Sequence, residues 1–215
     1  PMKPDPVLRR LDAQWAPYAQ VLAEASPAIN WDARLPWLTW LEKNPLAWQS
    51  FDVLLDLVQA LRDTEPRLTG MEAGTVLPLL LRAEALLRLV IQQHRAEGRA
   101  LEWGWHENRP ALSLLADLAF YHIEHDDPER AVDLLAWCVL TLNPNDNQGI
   151  RYLLLDCLLI LGRDDDAARL IKRYKEDGSA AWSWSRALLA FRQSGDCPGS
   201  RSALSQAIGN NTHIA

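Results

Sequence analysis

Hydrophobic residues in this chain recur at intervals of three and four almost from end to end, and the alternating runs of β-branched residues that a strand needs do not appear. A sequence with that single period buries its apolar side chains by laying helix against helix. It predicts an all-α fold with helices near 7–25, 31–43, 46–63, 72–97, 109–124, 128–142, 148–161, 165–175, 180–194 and 199–209, joined by short connections. At 48% hydrophobic residues in a length of 215, there is enough apolar surface for a continuous core.

Several boundaries carry their own mechanism. Asp127 before Pro128 places an oxygen acceptor at a helix N-cap and a residue without an N–H at the first helical position, so a helix begins there. Gly162 after Leu161 suits a left-handed helix end, with Asp164 expected to cap the next helix and close a tight hairpin. The segment Asn143-Pro144-Asn145-Asp146-Asn147 stops one helix, because Pro144 disfavours helical geometry at Asn143, and offers several caps for the next.

The second half also repeats itself. A helix, a tight turn and a second helix with a small residue near its start can be aligned three times, the small residues being Ala131, Ala167 and Ser200. Their separations of 36 and 33 residues bracket the roughly 34-residue period of tetratricopeptide repeats. A small side chain there lets the second helix approach the first closely. Trp184, Leu188 and Gly195 in the last unit correspond to Leu154, Leu158 and Gly162 in the middle one. The first unit departs from the pattern with Asp126 in place of the turn glycine, and the third has Thr212 where a proline is usual.

The stretch Trp103-Gly104-Trp105-His106-Glu107-Asn108-Arg109-Pro110, followed by Asn143-Pro144-Asn145-Asp146-Asn147-Gln148-Gly149-Ile150-Arg151, resembles a widespread group of bacterial tetratricopeptide proteins. That group is similar in turn to the suppressor-of-tumorigenicity family of animals. The resemblance covers about residues 100–215. It implies a right-handed superhelix of antiparallel helix pairs and an adaptor-like role, with no reaction, cofactor or ligand residue to carry over. The expected organisation is therefore an N-terminal helical region, residues 1–100, packed on three tetratricopeptide-like hairpins within residues 101–215.

Charge and composition narrow the partners. A net charge of -6 and a pI near 5.4 argue against a broad basic footprint for nucleic acid. The longest apolar runs are broken by Asp156 and ended by Arg82, well short of the ~20 residues that span a bilayer, so no membrane is expected. Pro1 ahead of Met2 reads as a residue added before the native start, with no secretory leader after it. Cys138, Cys157 and Cys197 are odd in number and widely spaced, which fits neither a disulfide framework nor a metal pair and points to a cytoplasmic setting. Ten tryptophans read first as fillers of the wedges between oblique helices, and second as an interaction surface.

A search for chemistry finds no nucleophile elbow, phosphate loop or dinucleotide fingerprint, so no catalytic residue and no cofactor is expected. His122 and His125, beside Asp126 and Asp127, have metal-like spacing but read better as a solvated helix end, so no metal is expected. Arg109 and Arg151 at helix starts are unfavourable without a partner, and are expected to tie adjacent turns together. The run Asp164-Asp165-Asp166 reads as a dipole-matched first turn.

In a stack of hairpins the first helices line the concave side. Counting from each turn puts Ala116, Phe120, Ile123 and Glu124, then Tyr152, Asp156 and Leu159, then Trp182, Ser185, Leu189 and Arg192 on that side, with Lys172 on the outer face. The function expected is a non-catalytic scaffold binding a protein or peptide, with Phe120, Tyr152, Asp156, Trp182 and Arg192 as contact residues. The alternatives are a homo-oligomer joined through the Trp-rich N-terminal helices, and a metal-dependent enzyme using the histidine and acid cluster.

Overall fold

The computed structural model describes residues 5–24, 35–62, 71–96 and 98–210. Among these there is no strand and there are ten α-helices: α1 Pro6–Glu24, α2 Leu35–Lys43, α3 Phe51–Arg62, α4 Met71–Gln93, α5 Arg109–Glu124, α6 Pro128–Trp137, α7 Arg151–Ile160, α8 Asp164–Arg173, α9 Ala180–Ser194 and α10 Pro198–Asn210. Residues 31–34, where the second helix was expected to begin, and Thr212 lie outside the described residues.

The all-α expectation holds, and the differences are local. The helix expected over 46–63 is two elements, a 3-10 turn at Pro45–Gln49 and then α3, because Ser50 is extended at φ -87° and ψ 127°. The Ser50 hydroxyl oxygen accepts from the Val53 N–H at 3.3 Å, so this serine starts a helix instead of continuing one. The helix expected from 148 starts at Arg151, with Ile150 at its N-cap position, and Asp146, at φ 46°, accepts from the N–H groups of Ile150 and Arg151 at 3.0 Å each. Asp164 does not cap α8 but lies inside it, and Arg163 at the cap position makes no side-chain cap bond. Asp127 does cap α6, accepting from the Arg130 N–H at 3.3 Å. Beyond Trp137 the helix continues as a π-helical turn over Cys138–Leu142, closed by the Asn143 N–H on the Cys138 carbonyl at 2.7 Å.

Three turns end in left-handed residues. Gly162 and Gly195 have φ of 67° and 65°, and Asp126 takes the same role at φ 59°. After Gly162 the Arg163 N–H reaches back to Leu158 O at 2.8 Å; after Asp126 the Asp127 N–H reaches His122 O at 2.8 Å. Both bonds satisfy carbonyls that a helix end leaves open.

Helices adjacent in sequence pack on one another from α3 to α10, and α3 also meets α5 while α7 meets α9. The small residues aligned in the sequence are buried: Ala131 and Ala167 fully, and Ser200 at 5% exposure. One core cluster runs from Leu54 on α3 to Leu189 on α9. A second joins Trp15, Trp37 and Leu41 to Val53 and Leu57 on the other side of α3, and Trp48 and Leu79 touch both clusters. Trp15 donates its indole N–H to Asp56 at 2.7 Å and lies against Tyr18 and Trp40, so these rings fill wedges between helices. Ion pairs fix the earlier helices on the later ones: Arg62 on α3 bonds Asp117 on α5 at 2.8 Å, and Arg130 on α6 grips the buried Glu84 on α4 through both oxygens at 2.6 and 2.7 Å.

Candidate functional site

Arg151 is the centre of a polar network that joins two loops. Its Nε and Nη2 donate to Asp177 Oδ2 at 2.9 and 2.7 Å, and its Nη1 donates to Asp146 Oδ2 at 2.9 Å. Nη2 also donates to the Tyr152 hydroxyl at 2.9 Å, which in turn donates to Asp177 at 2.8 Å. The guanidinium lies 4.5 Å from the Tyr152 ring centroid and 6.0 Å from that of Trp182. Burial would raise the Asp177 carboxyl, but hydrogen bonds from Ser179, Tyr152 and Arg151 outweigh it and hold the group well below the usual carboxylate range. The donors and acceptors here bond one another. The arginine ties the loop before α7 to the loop after α8. Arg109 donates to Trp103 O at 2.9 Å, a bond within the loop that leads into its own helix and not one between two loops.

The five residues expected to contact a partner meet different fates. Trp182 is 0% exposed, packed edge-on against Tyr152 at 5.7 Å and Tyr174 at 6.1 Å; the expectation that it faces a partner is corrected, because the network above closes over it. Tyr152 is half-buried in the same network. Arg192 donates to Leu159 O at 2.7 Å and to Asp164 Oδ1 at 3.3 Å, binding α9 to the end of α7 and the start of α8. Phe120 remains 43% exposed, and Asp156 is exposed on α7, its carboxyl raised by partial desolvation.

The two histidines diverge. His122 Nδ1 lies 2.9 Å from Asp127 Oδ2, whereas His125 stacks on Tyr121 and places Nδ1 2.8 Å from the Tyr121 carbonyl. No cluster of three or more metal-ligating side chains with suitable geometry occurs among the described residues. No helix among them is long and apolar enough to cross a membrane.

A surface groove that the sequence did not announce lies over α7 between α6 and α8, with a volume of about 470 Å³. Its deep wall is apolar: Val132 from α6, Leu154 and Leu158 from α7 and Leu170 from α8 are each nearly fully buried. Ala136 and Leu140 form the shallower side, Leu140 being 43% exposed. The rim is cationic, with Arg163, Arg169, Lys172 and Arg173 set against the single acid Asp166. Asp166 is already held by Arg163 at 2.7 Å and by Arg169, and those bonds pull its carboxyl down. Lys172, expected on an outer face, thus borders a concave surface. Helical spacing produces this rim, since Arg169, Lys172 and Arg173 recur three and four residues apart along one side of α8. The signal was readable in α8 alone; that α6 would stand off far enough to open a groove was not.

No protein-family model matches the chain, and neither a curated protein nor a solved structure matches it.

Proposed function

We propose that this protein is a non-catalytic scaffold, a tetratricopeptide-like superhelix with an N-terminal helical extension, that holds an acidic amphipathic segment of a protein partner in a cytoplasmic setting. The groove across α6, α7 and α8 carries this reading. Its apolar floor takes a stripe of aliphatic side chains, and its rim offers a surplus of cations in a chain whose net charge is -6. A segment with leucines on one face and carboxylates on the other satisfies both at once. The three unpaired cysteines, two of them buried, accord with a reducing compartment. The face of the first helices, where a partner was first expected, now offers Phe120 and Asp156 but not Trp182.

The test is calorimetry with a synthetic Leu/Glu amphipathic peptide and its Leu/Lys counterpart, at low and high salt. The acidic peptide is expected to bind more tightly, with affinity falling as salt rises. Reversing Lys172 and Arg169 to glutamate is expected to remove that preference, and Leu140→Asp to weaken binding whatever the charge. Equal binding of both peptides, or none, would overturn the reading.

A further inference from the structure

We infer that Asp166 makes the groove between α6 and α8 selective for where along a segment the carboxylates lie, admitting them at the Lys172 and Arg173 end and turning them away from the Arg163 and Arg169 end. This rests on the acidic-segment reading above and says which acidic segments fit.

The four cations of the rim are not equivalent. Arg163 donates to Asp166 Oδ2 through Nε at 2.8 Å and lies 2.7 Å from it through Nη2, and Arg169 bonds Asp166 Oδ1 from the next turn of α8. Both oxygens of the carboxylate are taken, and two arginines converge on an acid of the chain itself. Lys172 and Arg173 stand six and seven residues beyond Asp166, about 10 Å along the helix axis. Both are exposed, and among the described residues neither pairs with a carboxylate. Arg173 lies against the ring of Tyr174, 6.0 Å from its centroid, and keeps its charge unneutralised.

A carboxylate arriving beside Asp166 meets a like charge and arginines whose bonds are already made, whereas one arriving beside Lys172 and Arg173 meets two uncommitted cations. Specificity of this kind comes from the repulsive element as much as from the attractive one. The repulsion is constant wherever a partner's own carboxylates are ionised, because the bonds from Arg163 and Arg169 hold the Asp166 carboxyl below the ordinary aspartate value. Asp164, the neighbouring acid on α8, is turned to Arg192 on α9 at 3.3 Å and does not line the groove, so the discrimination falls to Asp166. Its size is limited by water, since the Arg169 side chain is 72% exposed.

Calorimetry with two peptides of one composition tests it. Both carry the same leucine stripe and the same number of glutamates, gathered at one end in the first and spread along the length in the second. The wild-type chain is expected to bind the gathered peptide about fivefold more tightly, the order set by exposed charge pairs. Asp166→Asn is expected to remove most of that ratio by raising the affinity for the spread peptide, and comparing ratios between the two proteins cancels any difference in the peptides' own helicity. K172Q/R173Q is expected to abolish the advantage of the gathered peptide and R163Q/R169Q to leave it in place, a contrast that decides the matter should Asp166→Asn melt early. Equal binding of the two peptides by wild type, a ratio that Asp166→Asn leaves unchanged, or equal losses in the two double variants would overturn this inference alone. Binding of neither peptide would overturn the acidic-segment reading and this inference with it.

Discussion

Arg151 grips Asp177 across 26 residues of sequence, through Nε at 2.9 Å and Nη2 at 2.7 Å, and so joins the first turn of α7 to the loop between α8 and α9. The Asp146 side chain on its other flank is 0% exposed and that of Asp177 is 7% exposed. Removing the arginine strands both carboxylates in place, a loss that typically costs ~3–5 kcal/mol. Arg151→Ala is therefore expected to lower the urea midpoint strongly near neutral pH, and Arg151→Lys to recover part of it. Because the folded-state Asp177 carboxyl is depressed, its contribution is present above the unfolded pKa of about 4 and is lost as pH falls below it. Wild-type stability should fall in that acid range, and that of Arg151→Ala should fall less.

Asp126 sits at φ 59° in the turn after α5, and Gly162 takes a similar φ of 67° in the turn after α7. A side chain in that region carries a strain that glycine avoids. Asp126→Gly is expected to stabilise the protein by up to ~1 kcal/mol, and Gly162→Ala to destabilise it by about as much, both read from chemical denaturation.

Asp12, Asp52 and Asp56 gather around the junction of α1 and α3. Burial, then the charges of Asp12 and Asp56, push the Asp52 carboxyl up to about 6. Asp12 and Asp56 are also raised, by burial first, against the lowering effect of bonds from Ser50 and Trp15 respectively. A carboxyl raised on folding binds more protons in the native state, so its stabilising contribution is full below about pH 4 and is lost as pH rises through about 6. Asp52→Asn is expected to melt higher than wild type above that pH, with the advantage shrinking as pH falls beneath it.

The helices were legible because their determinants are local: the three-and-four period, Asp127 ahead of Pro128, and Gly162 after Leu161 each act within a turn of chain. The small residues Ala131 and Ala167 were legible for the same reason, and their complete burial makes a direct test. Ala131→Leu and Ala167→Leu are each expected to cost ~1–3 kcal/mol in denaturation. Ser50 was missed because an isolated serine within an apolar helical period gives little sign that its hydroxyl will cap a new helix. The site was legible only in fragments, because exposure depends on how far helices distant in sequence stand apart. Nothing in α9 alone says that Tyr152, Tyr174 and Arg151 will close over Trp182, and nothing in α8 alone says that Lys172 will border a groove.

Trp182 and Phe120 separate the two roles that a large aromatic on a first helix can take. Trp182 is fully enclosed, with Tyr152 and Tyr174 set edge-on to its ring, whereas Phe120 is 43% exposed on α5. Truncating a buried tryptophan leaves a cavity and typically costs ~3–5 kcal/mol, whereas a residue exposed to that degree has less packing to lose. Trp182→Ala is therefore expected to unfold the α7–α9 region, seen as a large drop in melting temperature and reduced helical dichroism. Phe120→Ala should leave both nearly unchanged. If Trp182→Ala melted like the wild type, the ring would not be the packing element its surroundings make it, and a partner-facing role for α9 would return. If Phe120→Ala stayed folded and bound the acidic peptide as tightly as wild type, the face of the first helices would drop out of that interaction, leaving it to the groove between α6 and α8.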